Sequence, residues 1–421
     1  MTNSLFLVSD ISNGQEWRNA GFTNTVPLSL LVNFRNEPNQ DLDAQYLSLL
    51  REKGVMRYED KGAVGNRKPE DLTRTKKVYA GDIIVNSMNF WIGSYGISPF
   101  DGVVSTVYHI ISPDESKLNT RYLNYWFGVQ EFRNQAQNMG NGILPHRRSI
   151  SEDRFGAIRI PLPELETQRR IADYLDKEIS EMDAVIEEFD GLVENLKNRK
   201  TQFPSSLIPG IQDAIDLSLG GSSRVCHSEV SLVPIRLLGR KNTVKNTGML
   251  SENRLSLSYG NIVRKPIESS EGLRPDSYET YQVVQPGQTV LRFTDLQNDH
   301  KSLRSGLVRE KGIVTSAYLS FVPKHPGLDS SFFAWCMRAL DSKKVFYRMG
   351  SGVRQSLNWE EFTTLLIPLP SLDKQREIAN KLDQETAKMD ALIEESTRLI
   401  ENLKARKTAL ITEVVTGRKE V

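Results

Sequence analysis

Two polar stretches, NSMNFWIGSYG (86–96) and RFTDLQNDHKSLRSG (292–306), mix aromatic rings with arginine, asparagine, glutamine, serine and threonine. These polar side chains are the ones that read base edges and phosphates. Further donors gather in LPHRRS (144–149), SYGNIVRK (258–265) and GVRQS (352–356). The candidate DNA contacts are therefore Arg51, Ser87, Asn89, Arg147 and Arg148 in the first half, and Tyr259, Asn261, Arg292, Thr294, Arg354 and Gln355 in the second. For any one of them a solvated loop is the plainer reading. The functional reading rests on polar loops that recur at matched places while differing in sequence. Other chemistry lacks its residues. No GxxxxGK[ST] loop, HExxH, paired-cysteine metal motif or nucleophile elbow occurs. His109, His146 and His300 fall singly, and Cys226 and Cys336 read as free thiols of a reducing cytoplasm. No catalytic residue and no metal site is expected.

The elements that must position these loops come from a repeat. IPLPELETQRRIADYLD (160–176) returns as IPLPSLDKQREIANKLD (367–383). From Ile160 to Thr201 about 26 of 42 positions match their partners 207 residues on. Fainter matches lie upstream: YLSLL with RLSLS, AGDIIV with PGQTVL, GVVSTVY with GIVTSAY, and MGNGI with MGSGV. The chain thus reads variable–helix–variable–helix. The expected boundaries are 1–159, 160–209, 210–366 and 367–421. A duplicated scaffold with decayed loops is the alternative.

Both repeated segments predict a long helix with an a/d seam. In the first it runs through Ile171, Leu175, Glu178, Met182, Val185, Phe189, Leu192 and Leu196. In the second it runs through Ile378, Leu382, Glu385, Met389, Leu392, Ser396, Leu399 and Leu403. The glutamates predict a polar layer or a kink. A stripe of this kind needs a partner. The other copy is the nearest, so an antiparallel pair on an internal two-fold is expected, with the variable domains at opposite ends of a rod. Two unrelated amphipathic helices, each buried on its own domain, is the alternative. AIRIPLP and TLLIPLP carry β-favouring residues and then prolines that end the ladder, delivering the chain into the helix. Strands are expected at Tyr46–Leu50, Asp82–Val85, Val103–Ile111, Val290–Phe293 and Ile313–Val322, and short helices at Thr120–Gln137 and Asp329–Phe346. The fold class is α+β: two mixed α/β domains joined by two long antiparallel coiled-coil helices.

The chain has 421 residues, 38% hydrophobic and 25% charged, with a net charge of +1. That suits two or more soluble domains. The charge is uneven, because residues 164–201 carry a net charge of about −5 and leave the remainder mildly basic. No signal peptide and no membrane-spanning run is expected.

The IPLPxLxxQRxIAxxLD element with its ENLKxRK tail, written twice after large divergent domains, resembles the specificity (S) subunits of type I restriction-modification systems. The resemblance covers essentially the whole chain. One departure is LPHRR in the first copy, where the second has GVRQS. The resemblance implies that each variable domain is a target-recognition domain for half of a split, asymmetric double-stranded DNA sequence. The helices would set the spacer and seat two modification (methyltransferase) subunits through Ile171, Leu175, Met182, Phe189, Leu196, Ile378, Leu382, Met389, Leu399 and Leu403. It also implies a restriction motor subunit, S-adenosylmethionine in the methyltransferase partner but no cofactor here, no catalysis by this chain, and a cytoplasmic location. A specificity module of another restriction-methylation enzyme, a coiled-coil assembly protein without a DNA role, and a free-standing enzyme are the alternatives.

Overall fold

The computed structural model describes residues 25–51, 53–64, 67–141, 148–220, 230–266, 277–296, 303–349 and 356–421. They fall into two contact units that are not simply the chain's halves. One is Met1–Phe189 with Arg398–Val421, and the other is Asp190–Thr397. Each unit owns one sheet domain, the first part of one long helix and a later part of the other.

Unit 1 holds β1 (Thr25–Pro27), β2 (Val32–Arg35), β3 (Leu47–Leu50), β4 (Gly54–Arg57), β5 (Thr75–Val78), β6 (Ile83–Asn86), β7 (Tyr95–Ile97), β8 (Gly102–Ser105), β9 (Tyr108–Pro113) and β10 (Arg159–Pro161). Its helices are α1 (Thr120–Trp126), α2 (Gln130–Met139), α3 (Glu152–Ala157) and the start of α4 (Leu165–Leu207). Unit 2 follows with α5 (Ile211–Ser218), β11 (Leu232–Pro234), β12 (Gly239–Lys241), β13 (Leu255–Ser258), β14 (Asn261–Arg264), β15 (Gln282–Val284), β16 (Thr289–Leu291), β17 (Ser305–Leu307), β18 (Gly312–Val314), β19 (Leu319–Pro323), β20 (Leu366–Pro368), α6 (Ser330–Ser342), α7 (Trp359–Thr364) and the start of α8 (Leu372–Val415).

The two sheets obey one plan. Unit 1 has an antiparallel sheet in the order β2-β9-β6-β7, with ribbons β1-β10, β3-β4 and β5-β8. Adding ten to each number gives every pairing of unit 2. The duplication therefore extends through the domains whose sequences diverge. The expected strand Val103–Ile111 is two strands, β8 and β9, and Ile313–Val322 likewise splits into β18 and β19. The reason is topological: β8 pairs with β5 while β9 joins the four-stranded sheet, so the chain must turn between them. The expected helix over 120–137 breaks between α1 and α2 at Gly128, where a Cβ would stand 2.9 Å from the Tyr125 carbonyl.

Each core lies between sheet and helices. In unit 1 the rings of Phe90, Tyr95, Phe127, Phe132 and Phe155 cluster at centroid distances of 5.0 to 5.9 Å, mostly edge to face. Ile171, Leu175, Ile179 and Met182 of α4 join that core, together with Leu410, Val414 and Val415 of α8. In unit 2, Ile378 and Leu382 of α8 join Phe293, Phe321, Phe332, Phe346 and Phe362, with Ile208 beyond the α4 end and Ile211 and Ile215 of α5.

Within each unit the long-helix segments run antiparallel. In unit 1 Lys407 binds Asp183 at 2.6 Å and Lys419 donates to the Tyr174 hydroxyl at 2.8 Å, so one number rises as the other falls. In unit 2 Lys200 pairs with Asp390. Asp183 and Asp390 are repeat partners, as are Lys200 and Lys407, so the second ion pair is the first with the helices exchanged.

The seam differs from the expected one. Gln168, Ile171, Leu175, Ile179, Met182, Ile186, Val193 and Leu196 are buried, and so are Gln375, Ile378, Leu382, Thr386, Met389, Ser396 and Ile400. Glu178, Val185 and Leu192, with Glu385, Leu392 and Leu399, drop out by one position; Val185, Leu192, Leu392 and Leu399 are exposed. Phe189 and Leu403 are half-buried. The cause is a second four-residue step after Leu175 and Leu382. It sets one eleven-residue step, Ile171 to Met182 and Ile378 to Met389, ahead of the heptad steps that follow, at about 3.67 residues per turn and so close to a relaxed helix. A strict heptad suits a supercoiled partner, whereas here the first turns lie on their own domain's core. The glutamates form no polar layer, and Glu385 instead pairs with Lys388 at 2.8 Å.

Candidate nucleic-acid interface

The candidate residues fall at three matched places in the two units. Arg51 follows β3 in the β3–β4 hairpin, and Tyr259 and Asn261 sit at the β13–β14 turn. Ser87 and Asn89 follow β6, and Arg292 and Thr294 follow β16. Arg148 precedes α3; Arg147, Arg354 and Gln355 lie outside the described residues. The second and third places meet. Ile150 N–H donates to the Ser87 carbonyl at 3.1 Å, and its repeat partner Leu357 donates to the Phe293 carbonyl at 3.1 Å.

In unit 1 the loop after β6 is a fixed shape. The Asn86 side chain accepts from Met88 N–H at 3.1 Å, and Gly93 closes the turn at φ +91°. Phe90 anchors it in the aromatic core. Met88 and Ile92 are left outside, while Asn89 is half-buried. Ser87 is corrected as a base reader: its hydroxyl is buried and donates to the Val107 carbonyl at 2.9 Å. A small hydroxyl directly after a core strand finds a backbone acceptor before it reaches solvent.

In unit 2 the loop after β16 is pinned at Phe293 and Leu296, both buried. Between them Thr294 is exposed, and Asp295 takes a left-handed φ of +58°. Arg292 is half-buried, its amide bonded to the Arg304 carbonyl at 2.8 Å. Tyr259 is 77% exposed, and Tyr259 and Gly260 both have positive φ, the pattern of a type I′ hairpin turn. That turn is held by Arg338, which donates to the Gly260 carbonyl at 2.6 Å. Gly260 and Asn261 line a cleft of about 470 Å³ with Lys200, Arg309, Asp383 and Asp390. Its mixed charge does not favour a phosphate. Among the described residues no hydrogen bond or ring contact joins this turn to Arg292 or Thr294.

The repeated QR motif has a structural purpose. Gln168 is wholly buried, accepts from Asn119 N–H at 2.9 Å, and donates to the carbonyls of Lys117 at 3.0 Å and Pro163 at 2.9 Å. Gln375 does the same with Asp329 at 2.9 Å, and with Gly327 and Pro370 at 2.8 Å each. About three turns into each helix an aspartate meets an aromatic donor: Tyr125 O–H to Asp176 at 2.6 Å, and Trp335 Nε1–H to Asp383 at 2.9 Å. Arg121 adds bonds to Asp173, at 2.7 Å, and to Asp176 in unit 1. These contacts fix the sheet domain of each unit on its helix. Arg304, Asp341 and Tyr347, which brace the loop after β16, were not singled out in the sequence. Arg304 is visible within RFTDLQNDHKSLRSG, but its partners Asp341 and Tyr347 lie far along the chain and follow no spacing rule.

Among the described residues no group of three or more His, Cys, Asp or Glu could hold a metal ion, and no helix is long and apolar enough to cross a membrane. Cys336 is buried as a free thiol, and burial pushes its pKa up.

A repeated α+β domain with paired long helices and a loop surface at matched places is the architecture of a two-site recognition protein. The family model for the type I restriction modification DNA specificity domain matches residues 43–188 and 307–402, more than half of the chain, and the chain belongs to that family. It is 21% identical over 374 residues to a Methanocaldococcus jannaschii protein assigned as type I restriction enzyme MjaX specificity subunit, covering 86% of this chain and 83% of that one. A chain solved in work on complex assembly and conformational transition of the type I R-M system superposes with a TM-score of 0.68 at 14% identity, over 93% of this chain and 97% of that one. The HsdS subunit of Thermoanaerobacter tengcongensis gives a TM-score of 0.48 at 14% identity, over 94% of this chain and 97% of that one.

Proposed function

We propose that this chain is the DNA-recognition subunit of a type I restriction-modification complex, each unit reading one half of a bipartite, asymmetric target. The observation that carries this is the pairing of one strand plan with two unlike loops. The loops after β6 and β16 leave the same sheet position and accept the same backbone bond from Ile150 or Leu357, yet present different side chains. A shared frame with unshared contact residues is what two different half-sites require.

The helices are proposed to seat two modification subunits and to set the gap between half-sites. In support, each unit leaves one large apolar residue exposed on each of its long-helix segments. Unit 1 has Val185 and Leu399, and unit 2 has Leu392 and Leu192, their respective repeat partners. Matched apolar positions suit two copies of one partner. Methyl transfer from S-adenosylmethionine would belong to that partner, and DNA cleavage to a restriction subunit, with this chain non-catalytic.

The test is binding of the co-expressed complex to duplex DNA across a salt series. A specific duplex should hold far tighter than a scrambled one, and both affinities should fall steeply with salt. Equal, salt-insensitive affinity for the two duplexes would favour an assembly protein without a DNA role.

A further inference from the structure

We infer that Arg304 is a specificity-positioning residue for unit 2: it sets the shape of residues 292–296, directly after β16, without itself being placed to touch DNA. The inference rests on the DNA-reading proposal above. Arg304 is wholly buried in the sheet domain. Its Nη1 donates to the Thr294 carbonyl at 3.2 Å and its Nη2 to the Asp295 carbonyl at 3.3 Å. Its Nε donates to the Tyr347 hydroxyl at 3.1 Å, and its guanidinium stands 5.4 Å from that ring's centroid. Its own amide is held by Asp341 at 2.6 Å, and Asp341 is itself buried on α6.

Two consecutive carbonyls gripped by one planar fork define a peptide orientation that a lysine's single ammonium cannot reproduce. The gripped peptide is the unusual one. Asp295 has a left-handed backbone, which costs a non-glycine residue energy and persists only when its surroundings enforce it. The result is that Thr294 stands exposed between two buried anchors, Phe293 and Leu296. Burying a guanidinium and a carboxylate to hold an exposed loop is costly for stability alone. It is accounted for if the loop must present one shape.

Unit 1 meets the same need with other residues. Arg133 of α2 donates to the Tyr95 hydroxyl at 3.2 Å and the Phe127 carbonyl at 2.9 Å, and its guanidinium stands 3.7 Å from where a Gly93 Cβ would be. An arginine–tyrosine pair thus also stands at the end of the unit 1 loop, where Tyr95 opens β7, and it comes from a different element. The shape of one loop can change without disturbing the other.

The test uses the intact complex with its modification subunits and duplexes carrying its methylated motif, matched or with one base pair changed in either half. Iodouracil crosslinking followed by peptide mapping assigns each half to a unit. The wild type must discriminate in both halves; if it does not, the DNA-reading proposal fails, and Arg304 is not the cause. Given that, Arg304→Lys should reduce discrimination about tenfold in the unit 2 half and leave the unit 1 half unchanged. Tyr347→Phe should give a smaller loss in the same half, and it decides the question if Arg304→Lys does not assemble. Discrimination unchanged in both halves, or reduced equally in both, would overturn the inference in favour of a purely structural role.

Discussion

Replacing Gln375 by leucine tests the seating of the second recognition domain on its helix. Leucine nearly preserves volume, so little cavity forms, and the loss is almost wholly polar. Three bonds of 2.8 to 2.9 Å from the fully buried Gln375 disappear, leaving the half-buried Asp329 amide and the carbonyls of Gly327 and Pro370 without that partner. At about 1 kcal/mol net per bond, with a further 1–3 kcal/mol for the stranded amide, the cost is about 4–6 kcal/mol. Gln168→Leu should cost the same in unit 1, where the three bonds are 2.9 to 3.0 Å. Native-state hydrogen exchange read by mass spectrometry separates the two. Gln375→Leu should raise exchange in peptides covering 327–334 and 370–382 and spare 117–124 and 163–175, with Gln168→Leu doing the reverse. A change below about 1 kcal/mol at both sites would refute the reasoning, because buried glutamines would then be fillers rather than clamps.

Further predictions follow the same geometry. Burial pushes the Asp341 carboxyl up to about 6, above its ordinary 3.8. The folded state therefore binds the extra proton between those values, and this group's contribution to stability falls as pH rises from about 4 to 6, by about 3 kcal/mol at most. Asp341→Asn keeps the acceptor for the Arg304 amide; it should raise the melting temperature at pH 7 and flatten that pH dependence in calorimetric scans. Reversing Lys200 to glutamate should destabilise unit 2 by about 1 kcal/mol or less, since the pair is partly exposed, and Asp390→Lys in the same chain should restore it in denaturant melts. Val185→Glu with Leu399→Glu should cut the modification subunits bound from two to one by native mass spectrometry. An unchanged count would show that those side chains do not meet the partner. Inserting four residues after Glu188 adds about 6 Å of helix and should lengthen the unread gap in the methylated motif; an unaltered gap would remove the spacer role.

What the sequence disclosed follows from where its information is local. The repeat, both long helices and the IPLP strands are legible because a period and a proline are properties of neighbouring residues. The seam slipped by one position because Glu178 and Ile179 both fit an apolar stripe within one step, and only the domain core beneath α4 selects Ile179. The split of Val103–Ile111 into β8 and β9 was hidden because both strands are apolar and their separation reflects which sheet each joins. Among the site residues, loop position was readable from the turn signals that precede the loops. Side-chain direction was not: Ser87 faces inward to Val107, and Arg304 reads as one more polar loop residue until Asp341 and Tyr347 are brought to it.

Sequencing the base methylation of DNA from cells that carry this chain together with a modification subunit is the most direct test. If each unit reads one half-site, that DNA carries one motif of two short, unlike specified halves at a fixed unspecified spacing, absent when the chain is deleted. A contiguous or palindromic motif, or methylation that persists without the chain, would contradict it.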